Sequence, residues 1–288
     1  MSIDKLQEKI RKVKNPTVVD LTISSAILPP QLLEQEGSNV KAWGKYALEL
    51  MEALKGLVPA VRFNFSMFAL FGGEGLDLLN FLMNRAKEYG FYVLLDSVES
   101  LSSQAAETAA SELLAWSCDG LIVSSYIGTD GVRPYVKKLK DNGKTMFVVL
   151  RTANKTAPEI QDLMTGSRLV YMAAADMVNR LGEPLPSKCG YNHVAGVGPA
   201  SSADALRSLR SKYKNLFLFV EGYDYPNANA KNCSYAFDKL GHGAVVCAGS
   251  TVTGAWCTEE GNREDYIQAA VEAVERMRKN LTRYTTVL

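Results

Sequence analysis

Residues 91–104 read FYVLLDSVESLSSQ. The first five are apolar and too few for a helix, so they predict a short strand buried on both faces. The run ends in Asp96, and Glu99 follows three residues later. Two carboxylates at the mouth of a buried strand are costly to desolvate unless a counter-charge or a ligand meets them. In parallel α/β folds the C-terminal ends of strands are where ligands gather.

Outward from this stretch the same unit recurs. Apolar runs at 17–21 (TVVDL), 60–65 (AVRFNF), 120–124 (GLIVS), 145–150 (TMFVVL), 193–197, 216–220 (LFLFV) and 244–248 (AVVCA) predict seven more strands. Between them, 3.6-residue periodicity predicts helices at 40–57, 76–89, 104–115, 132–140, 166–181, 203–212, 235–240 and 265–281. Gly72-Gly73 is read as loop, Gly90 as a helix stop and Asn142-Gly143 as another. An N-terminal helix with Leu6, Ile10 and Val13 on one stripe precedes Asn15-Pro16. Eight strand–helix units with continuous apolar strands predict one (β/α)8 TIM barrel over residues 1–288. The alternative, an open doubly wound sheet, lacks a G-x-G-x-x-G after its first strand.

The 32 basic and 31 acidic residues leave a net charge of +1, which offers no electrostatic reason to expect nucleic acid or an anionic membrane as partner. The N-terminus has no apolar signal core, and no segment reaches the ~18–20 apolar residues of a membrane span. The five cysteines form no CxxC, and no histidine pair has metal-ligand spacing, so neither metal nor cofactor is expected. A soluble cytoplasmic protein is the expectation.

A barrel of this register collects polar residues on one rim: Asp20 and Thr22, Arg62 and Asn64, Asp96 and Glu99, Ser124 and Ser125, Arg151 and Asn154, Glu221 and Asp224, and Ser250 and Thr251. Carboxylates and guanidiniums so arranged suit a small organic ligand, with Asp96 the candidate for proton transfer. The competing reading is that the two arginines neutralise buried acids. His193 and His242 read as hydrogen-bonded structure, Gly128-Thr129-Asp130-Gly131 as a strand-to-helix turn capped by Thr129 or Asp130, and Cys247 as a core thiol.

Several stretches resemble the orotidine 5′-monophosphate decarboxylase family, in its long-chain bacterial branch. They are NPTVVDL (15–21), LVPAVRFNFSMFALFGGEGL (57–76), SYIGTDGVRPYV (125–136) and LRTANK (150–155). The resemblance implies a (β/α)8 barrel that forms homodimers with the active site at the interface. It also implies an Asp-x-Lys-x-x-Asp run on the third strand, whose lysine protonates the carbanion left by decarboxylation and whose second aspartate serves the partner subunit. Here Asp96 matches the first aspartate, while Val98 stands at the lysine and Leu101 at the second aspartate. The first-strand aspartate falls at Thr22, with Asp20 close by; Arg62 replaces a lysine; Ser250 replaces the phosphate-binding arginine. Ser125, Arg151 and Asn154 keep the pattern, whereas Glu221 and Asp224 bring charge to a loop that is a neutral phosphate cradle in the family. Three expectations follow: a barrel without the ancestral reaction that takes a small non-phosphorylated ligand, with a carboxylate of that ligand on Arg62 or Arg151; an active decarboxylase with a lysine such as Lys155 or Lys231 brought in; or a non-catalytic partner subunit.

Overall fold

The computed structural model describes residues 2–97, 102–258 and 261–286. Eight parallel strands close into a barrel: β1 (Thr17–Asp20), β2 (Ala60–Asn64), β3 (Tyr92–Asp96), β4 (Gly120–Ser124), β5 (Thr145–Val149), β6 (Val194–Pro199), β7 (Leu218–Glu221) and β8 (Ala244–Ala248). Each pairs with its neighbour in sequence, and β8 closes on β1 with Thr17 opposite Val246. The helices are α1 (Ser2–Val13), α2 (Pro30–Glu36), α3 (Asn39–Leu54), α4 (Phe65–Ala69), α5 (Gly72–Glu88), α6 (Ser103–Leu113), α7 (Thr129–Asn142), α8 (Val170–Gly182), α9 (Ala203–Lys212), α10 (Ala230–Ser234), α11 (Ser250–Thr253) and α12 (Tyr266–Thr282). This is the TIM barrel that the strand pattern predicts. No helix among the described residues is long and apolar enough to cross a membrane.

Period-two alternation explains how continuous apolar strands still deliver polar groups to one end. On β2, Val61 and Phe63 pack outward with the helices, whereas Ala60 points into the barrel below Arg62 and Asn64. On β3, Val93 and Leu95 face outward while Tyr92 and Leu94 fill the interior beneath Asp96; on β7, Phe219 lies beneath Glu221. Phe147, Phe217 and Phe219 meet edge to face in the lower interior, with Phe147 and Phe219 centroids 5.9 Å apart. α1 closes that lower end with Ile3, Leu6 and Ile10, all but inaccessible to solvent. The barrel is therefore solid at the N-terminal end and polar at the other.

Several boundaries differ from the sequence reading. Gly72-Gly73 begins α5 instead of forming a loop. The helix expected at 166–181 is preceded by a small hairpin pairing Met164–Thr165 with Arg168–Leu169, and starts at Val170. The helix expected at 235–240 lies earlier, as α10, because Asn229 caps it by accepting from the Asn232 amide at 2.9 Å. Asp238 instead holds a turn, accepting from the amides of Leu240 and His242. α7 is capped by Gly128, without the side-chain cap expected from Thr129 or Asp130.

Truncating Leu6 to alanine would open a cavity under the barrel floor and cost about 2–4 kcal/mol of stability, read as a lower midpoint in chemical denaturation with an unchanged slope.

Candidate functional site

Strand register brings three of the predicted charges into one network. Asp20 lies opposite Arg62 across β1 and β2, and Asn64 lies opposite Asp96 across β2 and β3. The Arg62 guanidinium spans the two acids. Its Nη1 donates to Asp20 Oδ2 at 2.6 Å, and its Nη2 donates to Asp96 Oδ2, which also accepts from Asn64 Nδ2 at 2.9 Å. The arginine side chain is 15% exposed. Burial opposes its charge, but Asp20 and Asp96 more than compensate and hold it well above the ordinary arginine range. Its Nε is buried without a hydrogen-bond partner among the described residues.

The position assigned by resemblance to a first-strand aspartate, Thr22, does not face the pocket as a charge. Its hydroxyl and amide both donate to Asp20 Oδ1, and Asp20 itself engages Arg62. Cys247 lies one residue before the C-terminal end of β8, and burial together with Asp20 pushes its thiol well above the usual range, which keeps it protonated. His193 and His242 precede β6 and β8 at the closed end, away from these acids.

Above the network opens a cavity of about 720 Å³. Asp96, Glu221 and Asn64 supply its charged and amide groups, and Ser97, Ser124 and Ser125 its hydroxyls. Val170, Ala173, Ala174 and Met177 of α8 form an apolar wall that the rim inventory missed. The surroundings of Glu221 shift its carboxyl. Burial pushes it above the usual glutamate value; Arg62 pulls it down, and Asp96 and Asp20 push it back up. Two carboxylates, Asp96 and Glu221, thus line the cavity, with Arg62 and Asp20 in the network beneath it, and no lysine is among its described lining residues.

The remaining rim residues are engaged elsewhere. Arg151 makes a bidentate pair with Asp162, at 2.7 and 2.8 Å, and is buried. It lines a second hollow of about 330 Å³ with Asn154 and Lys155; like Arg62, which Asp20 and Asp96 share, it already has a carboxylate partner within the chain. Asp162 had no signal of its own: ten residues, with a short 3-10 turn at Ala157–Glu159, separate it from Arg151. Ser250 opens the short α11 and is exposed. Asp224 accepts from the backbone amides of Gly249, at 2.8 Å, and Thr251, at 2.7 Å. Gly222 makes this reach feasible: its φ of +79° and the 2.3 Å approach that a Cβ would make to Ala153 exclude other residues from the turn. Val98, Glu99 and Leu101 lie outside the described residues. Lys231 sits exposed on α10 and Lys155 in the neighbouring hollow; neither lines the cavity that holds Asp96.

Fold and pocket together define a (β/α)8 barrel with an acidic cavity at its C-terminal rim. Curated orotidine 5′-phosphate decarboxylases support the family resemblance along the whole chain. That of Clostridium novyi (strain NT) is 24% identical over 284 residues, covering 98% of each sequence. That of Rhodopirellula baltica is 26% identical over 252 residues, covering 82% of this chain and 83% of its own. Among solved structures, Plasmodium berghei orotidine 5′-monophosphate decarboxylase superposes with a TM-score of 0.77 at 12% identity, covering 98% of each chain. Leishmania donovani OMP decarboxylase does so with a TM-score of 0.71 at 22% identity, covering 97% of this chain and 98% of its own. No family model matches the chain.

Two outcomes test the network. Arg62→Met would leave Asp20 and Asp96 facing each other, costing up to about 3 kcal/mol, the low end for breaking a buried pair. Adding Asp96→Asn would return part of that loss, a non-additivity readable by denaturation. Glu221 has a raised pKa in the folded state, so its contribution is fully present below the ordinary value of 4.5 and is lost as pH rises through the folded value. Glu221→Gln would therefore gain thermal stability over the parent at about pH 8, and the gain would shrink toward about pH 4.

Proposed function

We propose that this chain is an orotidine 5′-monophosphate decarboxylase-family barrel that has left the ancestral reaction. In this reading its rim takes a small ligand without a phosphate, one that presents cationic or hydroxyl groups to Asp20, Asp96 and Glu221. The observation that carries the reading is Asp224. Its carboxylate occupies the Gly249 and Thr251 amides, the kind of backbone donors that cradle an anion. An incoming phosphate would have to displace it and then face a like charge, at a cost of up to a few kcal/mol in a partly buried site.

Charge balance points the same way. The pocket's arginine is already shared by two acids, and the position of the family's proton-donating lysine reads Val98 in the sequence. A hydrocarbon cannot return a proton to a carbanion. Asp96 keeps a role as the base or anchor facing the ligand.

The full-length likeness to curated decarboxylases favours a second reading: an active orotidine 5′-phosphate decarboxylase of pyrimidine biosynthesis with a rearranged site. In either reading we place the protein in the cytoplasm as a homodimer joined at the rim. Exposed Leu70, Tyr126, Ile160 and Met164 stand on the loops after β2, β4 and β5 and would be covered there.

The deciding experiment follows orotidine monophosphate absorbance with the purified protein and, in parallel, titrates uridine monophosphate by calorimetry. The expected result is no loss of absorbance beyond buffer and, with inorganic phosphate present in both cell and syringe, no saturable heat. Turnover that Asp96→Ala abolishes would establish the second reading and end the first.

A further inference from the structure

The closed end of the barrel carries a charged hollow that plays no part in the rim chemistry. Lys5, Lys9 and Lys12 recur along α1 at spacings of four and three, so they share one helical stripe. The opposite face of α1 is buried as the barrel floor, which fixes the direction of this stripe. Across a hollow of about 320 Å³ it meets Lys87 near the end of α5, the Gly90-Phe91 link into β3, and Asp119 at the start of β4.

Four ammonium groups line this hollow against two carboxylates, Glu8 and Asp119. Asp119 is already committed: Oδ1 takes Lys87 at 2.6 Å and Oδ2 takes the Val93 amide at 3.0 Å. Lys9 is half-buried and donates to the Gly90 carbonyl, a neutral acceptor that orients its ammonium without cancelling the charge. Burial, with Lys87, Lys12 and Lys5 adding to it, pushes Lys9 below the ordinary lysine range against the pull of Asp119. An ordinary solvated lysine face splays its charges into water; here one is tethered inward and three others crowd it in a concave setting.

We propose that this hollow binds a small phosphoryl anion, held by Lys5, Lys9, Lys12 and Lys87 between α1 and α5. A phosphate dianion offers enough acceptor oxygens for several ammonium groups at once and relieves their mutual repulsion. The hollow has room for inorganic phosphate or pyrophosphate. A bound anion would tie the N-terminal helix to the wall of the barrel, so binding would be felt as stability of the whole fold.

The test uses the full chain and inorganic phosphate, at ionic strength held constant with chloride. Calorimetry is expected to show saturable binding, with a melting temperature above the chloride control. Pyrophosphate should bind more tightly than phosphate. Lys5→Ala/Lys12→Ala, both on the exposed face of α1, should weaken phosphate at least about tenfold while the exposed control Lys239→Ala does not. By linkage, phosphate should also raise the Lys9 pKa in lysine-detected NMR. Absence of saturable binding over chloride overturns the proposal. So does a Lys5→Ala/Lys12→Ala variant that binds as well as the parent, since the anion would then sit elsewhere, or a Lys9 resonance that phosphate leaves unmoved.

Discussion

One guanidinium holds the open end of this barrel together. Arg62 reaches Asp20 with one nitrogen and Asp96 with another, joining β1, β2 and β3 at the height where the apolar interior stops. A planar fork can serve two acids on opposite sides, which a single ammonium does less well. The next carboxylate in the ring is Glu221: burial raises its pKa, Arg62 offsets part of that, and Asp96 and Asp20 add to the rise.

The two ends of the barrel divide the labour. Tyr92, Leu94, Phe147, Phe217 and Phe219 fill the lower interior, and α1 seals it from below. That leaves the upper third free to be polar without weakening the packing that sustains the fold. The cavity there is lopsided: acids and hydroxyls at the strand ends, and an aliphatic wall from α8 on one side. A ligand with a polar head and a short apolar flank matches that asymmetry, since each half meets a surface of its own kind.

The barrel was legible because apolar runs of strand length alternated with helical periodicity at every step from Thr17 to Thr282. Their place at the C-terminal ends of the apolar runs also foretold that Asp20, Arg62, Asp96 and Glu221 would share a rim. What could not be read was who pairs with whom. Arg151 stood in the same inventory as Arg62, yet Asp162, from a loop with no periodic signal, claims it. The apolar wall of α8 was hidden for a related reason: Ala173 and Met177 fall in a helix predicted from periodicity, which does not say which of its residues line a cavity. Asn229 moved a helix because a cap outweighed six residues of suggestive pattern. Long-range side-chain partners and capping choices are set by tertiary geometry, which a one-dimensional pattern does not contain.

Asp224 on the Gly249 and Thr251 amides makes the protein its own competitor. An internal carboxylate tethered by a short turn is present at a high effective concentration, so a free anion meets competition before it meets shape. Exclusion of this sort is inexpensive in evolutionary terms, because it rests on one side chain and leaves the backbone donors intact beneath it. The turn therefore keeps two backbone donors occupied from within, and whether they are open to an outside anion is set more by a single tether than by the architecture around it.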